Sequence, residues 1–285
     1  MRYLRIHKIT GNVFAVTLSA LAVSTALAGP SAASTTAASA LLYNYGFKGT
    51  TGTVPNSAAS GPIAPLTLTG TWKPVTQGVH FGGNTSGRQS VAYGRPASGY
   101  TLNEPASAAV GVGTRIVYQA PPPGTCFAGT PNITQIGLYS ATHAAAQAKL
   151  QESGCSVSTT QVMIECRFAG AKSAPTTPPV TSTLPLVNGR AYNITCVKSP
   201  DMSNGTATIT LTVTRIKGLL TVTNKFTVPA MGALQSTQFV SAGNKFPLSK
   251  PAKNVDQFNG DMTRTIYCAG TLAAVNSCVA TYLPR

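Results

Sequence analysis

Alternation of apolar and polar residues is the strongest pattern along the chain, and it is clearest in "TATITLTVTRI" (206–216). There Ile209, Leu211 and Val213 alternate with threonines. A period of two places the three apolar residues on one face of an extended strand. The pattern therefore predicts a strand with a buried face and a threonine-covered face.

Shorter alternating segments, bounded by glycine, proline and asparagine, recur along the chain. They are "LLYNYGF", "PLTLTGTW", "GVHFGG", "GTRIVYQ", "ITQIGLYS", "VMIECRF", "AYNITCV", "LLTVTNKFTV", "TQFV" and "TRTIYCAG". In "PLTLTGTW", the alternation predicts that Leu66, Leu68 and Trp72 share one core-facing side. Only the alanine-rich "ATHAAAQAKLQ" (141–151) is compatible with a helix. Many short strands and no long helix predict an all-β sandwich of one domain, residues 41–285.

The N-terminus has the features of an export signal. Three basic residues, Arg2, Arg5 and Lys8, precede an uncharged apolar stretch that ends in "ALA" at Ala28. This order predicts a signal peptide over residues 1–28, with a second cleavage candidate near Ala33. A membrane anchor is the alternative, but the apolar stretch is short and broken by Thr and Ser. Residues 29–40, "GPSAASTTAASA", are expected to form a flexible lead.

The chain carries a formal charge of +15, with only 9% charged residues. Cleavage after Ala28 removes three basic residues and lowers this charge to +12. An exported basic protein favours anionic partners, such as wall polymers or acidic glycans. Scattered lysines that only maintain solubility are the alternative. No ordered set of basic and aromatic residues indicates nucleic-acid binding.

Six cysteines follow the predicted signal peptide, and their even number predicts three disulfides in an oxidising compartment. Zinc is the alternative, but no C-x-x-C pair occurs and His80 and His143 stand apart from other candidate ligands. Alternation points two cysteines toward the core from strands predicted to be adjacent, so these are paired first. Cys268 and Cys278 flank a short loop and are paired next, which leaves Cys126 and Cys155 for each other. The predicted pairs are Cys166–Cys196, Cys268–Cys278 and Cys126–Cys155.

The acidic residues do not form a catalytic pattern. A glycosidase needs two carboxylates across the scissile bond, and no pair occurs two or four positions apart on one strand. A divergent glycosidase would require Glu165 to meet an acid from another strand. Glu152 is expected on the surface. Asp201, Asp256 and Asp261 lie in turn-like segments and are the only calcium candidates. No G-x-S-x-G segment or phosphate-binding loop occurs.

Four segments in the middle of the chain resemble the laminin G-like branch of the concanavalin A-like lectin/glucanase superfamily, as found in secreted actinobacterial proteins. They are "PNITQIGLYS", "AQAKLQ", "CRFAGA" and "NGRAYNITCV", followed in order by "TATITLTV" and "DQFNGDM". The resemblance covers residues 41–270. It implies a jelly-roll sandwich of two antiparallel sheets and a strand, not a helix, over "AQAKLQ".

Two departures from the family pattern weaken any inherited metal site. Relatives often carry Asp-Gly-x-Trp-His where this chain has 188–192, "NGRAY", and they place an acid where this chain has Met262. The glucanases' paired carboxylates are also missing. The resemblance therefore permits glycan binding and does not imply hydrolysis.

These observations together predict a secreted, non-catalytic binding protein of the cell envelope, with a glycan or an anionic wall polymer as partner. No catalytic residue, metal ligand or cofactor is predicted, and the residues that contact a ligand cannot be named from the sequence. Aromatic rings could stack on sugars, but most of them, Trp72 included, are expected in the core. The alternatives are a surface interaction module without a small ligand and a divergent glycosidase.

Overall fold

The computed structural model describes residues 40–58, 65–82, 90–95, 102–120, 132–137, 147–153, 161–171, 179–236, 239–244 and 257–284. The predicted signal peptide, most of the lead and the predicted Cys126–Cys155 pair lie outside these residues. The described elements are the strands β1 (Leu41–Gly46), β2 (Thr53–Val54), β3 (Leu66–Gly70), β4 (Trp72–Val75), β5 (Gly78–Phe81), β6 (Ser90–Gly94), β7 (Leu102–Glu104), β8 (Ala109–Tyr118), β9 (Asn132–Gly137), β10 (Gln147–Ser153), β11 (Met163–Ala169), β12 (Val180–Thr181), β13 (Ala191–Lys198), β14 (Thr206–Arg215), β15 (Leu220–Pro229), β16 (Leu234–Ser236), β17 (Val240–Ala242) and β18 (Gly260–Gly270), and the helix α1 (Leu272–Tyr282).

Two eight-stranded antiparallel sheets pack face to face. The front sheet has the order β15-β14-β13-β8-β18-β5-β4, and β1 pairs with β18 on the same side as β5. The back sheet has the order β12-β11-β10-β9-β17-β6-β3-β2, while β16 and β7 form a separate pair. The predicted all-β sandwich of two antiparallel sheets is confirmed.

The core lies between the sheets, and β14 shows how the sequence produces it. Ile209, Leu211 and Val213 are fully buried, whereas Thr210 and Thr212 on the opposite face are partly exposed. Burial of each such apolar side chain stabilises the fold by about 1.5–3 kcal/mol relative to leaving it in water. The alternation therefore fixes which face of the front sheet turns inward.

A disulfide crosses this core. Cys166 of β11 is bonded to Cys196 of β13, with 6.3 Å between the two Cα atoms. This is the pair predicted from the sequence, but the prediction that the two strands are neighbours is wrong. Because β11 belongs to the back sheet and β13 to the front sheet, the bridge ties one sheet to the other.

The segment around Trp72 also differs from its prediction. The chain leaves the back sheet after Gly70, which has a φ of +80°, and Trp72 begins a strand of the front sheet. Leu66 and Leu68 therefore do not share a strand face with Trp72. The indole is half-buried against the edge of the core.

The described chain ends in a helix that was not predicted from the sequence. Helix α1 follows β18 directly, and Cys278 of the helix is bonded to Cys268 of the strand. This is a predicted pair, but it joins a helix to a strand and does not close a loop. The described part of the alanine-rich segment, Gln147–Ser153, is a strand, as the family resemblance implied. Within the described residues, none of the helical structure has both the length and the apolarity needed to cross a bilayer.

Candidate functional site

Helix α1 covers one half of the outward face of the front sheet. Two glycines of β8 make its close approach possible, because a Cβ at Gly111 would lie 2.8 Å from Cγ1 of Val275. A Cβ at Gly113 would lie 2.5 Å from Cδ1 of Leu283. The bare backbone of β8 therefore forms the bed on which the helix rests.

Both ends of α1 are fixed to the sheet. At its start, the Thr271 hydroxyl accepts a hydrogen bond from the backbone N–H of Ala274 at 3.2 Å, which is an N-cap. At its end, the guanidinium of Arg264 donates to the carbonyl of Tyr282 at 3.0 Å. Arg115 of β8 donates to the carbonyl of Pro284 at 2.9 Å. Together with the Cys268–Cys278 bridge, these bonds make the helix a fixed wall.

The other half of the outward face is open and rich in hydroxyl groups. Cross-strand pairing places Thr212 of β14 beside Thr223 of β15, and the two hydroxyl oxygens lie 3.1 Å apart. Thr214 and Thr221 form a second pair at 3.1 Å. Strand β15 is the sheet edge, and most of its side chains are at least partly exposed. The outward face of β14 and β15 is therefore an ordered hydroxyl surface.

Two adjoining cavities, of about 390 and 500 Å³, run along this surface beside α1. Both are bordered by Val197, Thr210 and Asn276, so they form one continuous depression, named here the threonine trough. Its other lining residues are Asn193, Thr195, Thr212, Thr214, Val279, Ala280 and Leu283 in the first cavity, and Ser199, Pro200, Met202, Thr208, Lys225 and Leu272 in the second.

The trough combines neutral hydrogen-bonding groups and apolar side chains with a single cation. Hydroxyls and amides both donate and accept hydrogen bonds, and they form the floor together with Asn276 on the helix wall. Lys225 is exposed and supplies the positive charge. None of the residues that line the two cavities is acidic. The trough therefore offers a ligand hydrogen-bonding groups, apolar surface and one cation.

The acid Glu152 was expected on the surface, and this prediction is wrong. Its side chain is only 2% exposed, and Oε1 has no hydrogen-bond partner among the described residues. Period two places it on the same inward face as Leu150, and burial raises the pKa of its carboxyl to about 8. The pKa of Tyr118 is raised by burial and also by the neighbouring Glu152.

Glu165, the other acid considered for a catalytic pair, does not meet Glu152. Strand β11 is in register with β10 so that Ile164 lies opposite Glu152. Glu165 follows Ile164 and therefore points to the opposite face of the back sheet. The two carboxyl groups lie on neighbouring strands but on different sides of the sheet.

The calcium candidates that can be described already have protein partners within hydrogen-bond distance. Asp201 lies 2.9 Å from Nζ of the buried Lys198 and accepts the backbone N–H of Gly232 at 2.7 Å. Asp261 lies 2.7 Å from Nδ1 of His80. Asp256 lies outside the described residues. In the part of the chain that is described, no three His, Cys, Asp or Glu side chains converge as a metal site would require.

Several solved structures share part of this arrangement at low identity. Basic winged bean lectin, determined with Tn-antigen, overlaps with a TM-score of 0.42 and 12% identity, over 80% of this chain and 97% of that chain. Lectin II from Ulex europaeus gives 0.44 and 12% over the same shares. The binding domain of botulinum neurotoxin serotype G gives 0.44 and 10%, over 85% of this chain and 50% of that chain.

The first two of these neighbours are lectins by name. At such TM-scores they carry no argument about ligands, and the fold assignment rests on the sheet order described above. No protein-family model and no curated protein matches the chain.

Sequence reasoning did not find the trough. It sought binding through aromatic rings, but five of the tyrosines are buried: Tyr43, Tyr45, Tyr118, Tyr192 and Tyr267. The available signal was the second polar face in "LTVTNKFTV", where Thr221, Thr223 and Lys225 alternate beside the threonines of β14. Two adjacent strands with threonine on the same outward face indicate a hydroxyl surface.

Proposed function

We propose that this protein is an exported, non-catalytic binding protein whose threonine trough holds a polyhydroxylated, acidic polymer of the cell envelope. The observation that carries the proposal is the trough itself. It is a depression lined by threonine hydroxyls, asparagine amides and apolar side chains, it lies against a fixed helix, and none of its lining residues is acidic. A glycan or an anionic wall polymer presents the complementary groups.

The spacing of the hydroxyls supports a polymer over a single small molecule. Neighbouring strands lie about 4.8 Å apart, and outward residues on one strand recur at about 6.8 Å, so donors and acceptors repeat along two directions. Thr210, Thr212 and Thr214 occupy three successive outward positions of β14. A chain of repeating units can meet such an array at several points at once.

Charge supports an acidic ligand. Lys225 lies opposite Thr210 in the strand register and lines the trough. The chain carries a formal charge of +15. An anionic polymer gains from both the local cation and the overall field, and this gain decreases with added salt.

Export is supported by the N-terminal pattern and the cysteines. The two described disulfides are typical of an oxidising compartment. The absence of catalysis is supported by Glu152 and Glu165, which face opposite sides of the back sheet and so do not flank a common bond.

The test is a binding titration against anionic and neutral glycans and isolated cell wall, at low and moderate salt. Thr210→Val, Asn276→Ala and Lys225→Gln are expected to weaken binding by about fivefold each, which corresponds to one lost hydrogen bond or ion contact. Thr67→Val, an exposed threonine of β3 in the back sheet, is the matched control and should bind as the wild type does.

Two results would contradict the proposal. One is a wild-type protein that binds none of the probes at either salt concentration. The other is a trough variant that binds as tightly as the Thr67→Val control.

A further inference from the structure

A second exposed surface lies at one end of the front sheet, formed by two turns, 187–190 and 215–220. It is named here the leucine tip. Leu219 is 70% exposed, and Leu220 and Val187 are each 42% exposed. Half of the large apolar side chains that are exposed in the described structure therefore belong to these two turns.

The two turns are adjacent because 187–190 leads into β13, 215–220 joins β14 to β15, and antiparallel pairing places Tyr192 at the start of β13 opposite Arg215 at the end of β14. The backbone N–H of Ile216 donates to the carbonyl of Ala191 at 2.9 Å. The N–H of Arg190 donates to the carbonyl of Val187 at 3.1 Å, which closes the first turn. The apolar side chains thus project from one edge of the fold.

Leu219 holds an unfavourable backbone conformation for no benefit within the fold. Its φ is +47°, in the left-handed region that favours glycine and asparagine, and it is the one non-glycine residue of the described chain with a positive φ. Its side chain is not buried against anything, so packing does not explain a leucine there. Strain at an exposed position directs attention to a role outside the fold.

The charges within the two turns are all positive. Arg190, Arg215 and Lys217 lie within the two turns, and no acidic residue occurs in 187–192 or 215–220. A Cβ placed on Gly218 would be 3.8 Å from Nη2 of Arg215, so this guanidinium lies over the hairpin. The leucines are therefore flanked by cations on both turns.

We propose that the leucine tip docks on a bilayer surface rich in anionic lipid. Leu219 and Leu220 enter the boundary between headgroups and acyl chains, while Arg190, Arg215 and Lys217 remain at the level of the lipid phosphates. A bilayer fits better than a small ligand, because the tip is a projection and open space surrounds the Cβ position of Gly189. The threonine trough shares none of these residues, so the two sites are tested separately.

The experiment is co-sedimentation of the purified protein with vesicles of equal parts phosphatidylglycerol and phosphatidylcholine, compared with pure phosphatidylcholine. The wild type should bind the anionic vesicles and not the neutral ones. Leu219→Ser is expected to weaken partitioning by about tenfold or more. Lys217→Gln is expected to weaken it by about fivefold.

Each variant has a matched control. Phe226→Ser removes an apolar side chain that is 44% exposed and lies further along β15, outside both the tip and the threonine trough. Lys48→Gln removes an exposed lysine far from the tip in sequence. Both controls should partition as the wild type does.

Leu219→Gly separates docking from folding. It relieves the backbone strain, so the protein should unfold at the same or a higher urea concentration while vesicle binding falls. Equal partitioning of Leu219→Ser and Phe226→Ser would overturn the proposal, and so would equal binding to neutral vesicles. A wild type that does not bind vesicles but forms a dimer abolished by Leu219→Ser would also overturn it, and would assign the tip to self-association.

Discussion

The outward face of the front sheet has two halves that share strands but differ in what covers them. In the half over β8 and β18, the outward positions are Gly111, Gly113, Ile266 and Cys268, and α1 buries them. In the half over β14 and β15, the outward positions are mainly threonines, and all of these except the buried Thr214 remain at least partly exposed. One sheet face therefore supports a packed layer and a polar surface side by side.

The difference shows that side-chain volume and polarity, not the backbone ladder, decide where a second layer forms. Glycine removes the atoms that would keep a helix away, and Ile266 supplies apolar surface to bury. Threonine keeps the strand extended through its branched Cβ while its hydroxyl is satisfied by water or by a cross-strand neighbour. The boundary between the two halves becomes a groove, because α1 ends the layer abruptly over β13.

The largest effect on stability is expected from a side chain placed at the glycines of β8 on which α1 packs. Gly111→Leu places a branched side chain where a Cβ alone would meet Val275 at 2.8 Å and Val279 at 3.2 Å. We expect the free energy of unfolding to fall by about 3 kcal/mol, at the upper end of overpacking effects. Urea denaturation measures it.

The matched control lies in the same cross-strand row. Val197 pairs with Gly111 on one side and with Thr210 on the other, so Thr210→Leu adds a leucine on the open half. Its cost should stay below about 1 kcal/mol. Equal costs for the two leucines would show that the helix does not need the glycine bed.

A somewhat smaller effect is expected from removal of the Cys268–Cys278 disulfide, which holds α1 on the sheet. The Cys268→Ala/Cys278→Ala variant opens a link between residues ten positions apart in sequence, and chain entropy predicts a loss of about 2.5 kcal/mol. Hydrogen exchange should show faster exchange of the amides in α1 than of those in β14. Unchanged exchange in α1 would mean that its packing and capping suffice.

Local patterns predicted much of the front sheet but not its cover. The alternation in β14 fixed the inward face of Ile209, Leu211 and Val213, and the same rule pointed Cys166 and Cys196 inward. Period two does not say which sheet a strand joins, so Trp72 was placed with Leu66 although a turn at Gly70 separates them. Sheet membership depends on pairing partners distant in sequence.

Helix α1 and the burial of Glu152 were not predicted, for different reasons. The bed of α1 is a pair of glycines about 160 residues earlier in the chain, so no local window contains both partners. In "AQAKLQES", by contrast, the period of two already placed Glu152 on the same face as the buried Leu150. It was expected on the surface because it lies beside the predicted Cys126–Cys155 bridge, although a carboxyl that keeps its proton can be buried. The threonine surface had a signal in the alternation of β14 and β15, but the depression beside it could not be predicted, since it exists only because α1 covers β8 and β18 and leaves β14 open.

Substitution of Leu219, at the end of the open half, is expected to raise stability, whereas the preceding variants lower it. Leu219→Gly should raise the free energy of unfolding by about 1 kcal/mol, because the left-handed φ of +47° costs a non-glycine residue roughly that much. Urea denaturation measures the gain, and Leu220→Gly, at a strand position of β15, is the control that should be destabilising. A loss of stability in Leu219→Gly would indicate that its side chain contributes to packing.

The smallest effect is expected in the middle of the open half. Thr212→Val keeps the shape of the side chain and removes the hydroxyl that lies 3.1 Å from Thr223, so the free energy of unfolding should change by less than about 0.5 kcal/mol. Thr114→Val, on the inward face of β8, removes a buried hydroxyl that donates to the carbonyl of Arg264 at 2.8 Å and should cost about 1–2 kcal/mol. A comparable cost at both positions in urea denaturation would mean that the threonine surface serves the fold. A negligible cost at Thr212 would leave its hydroxyl available for a ligand.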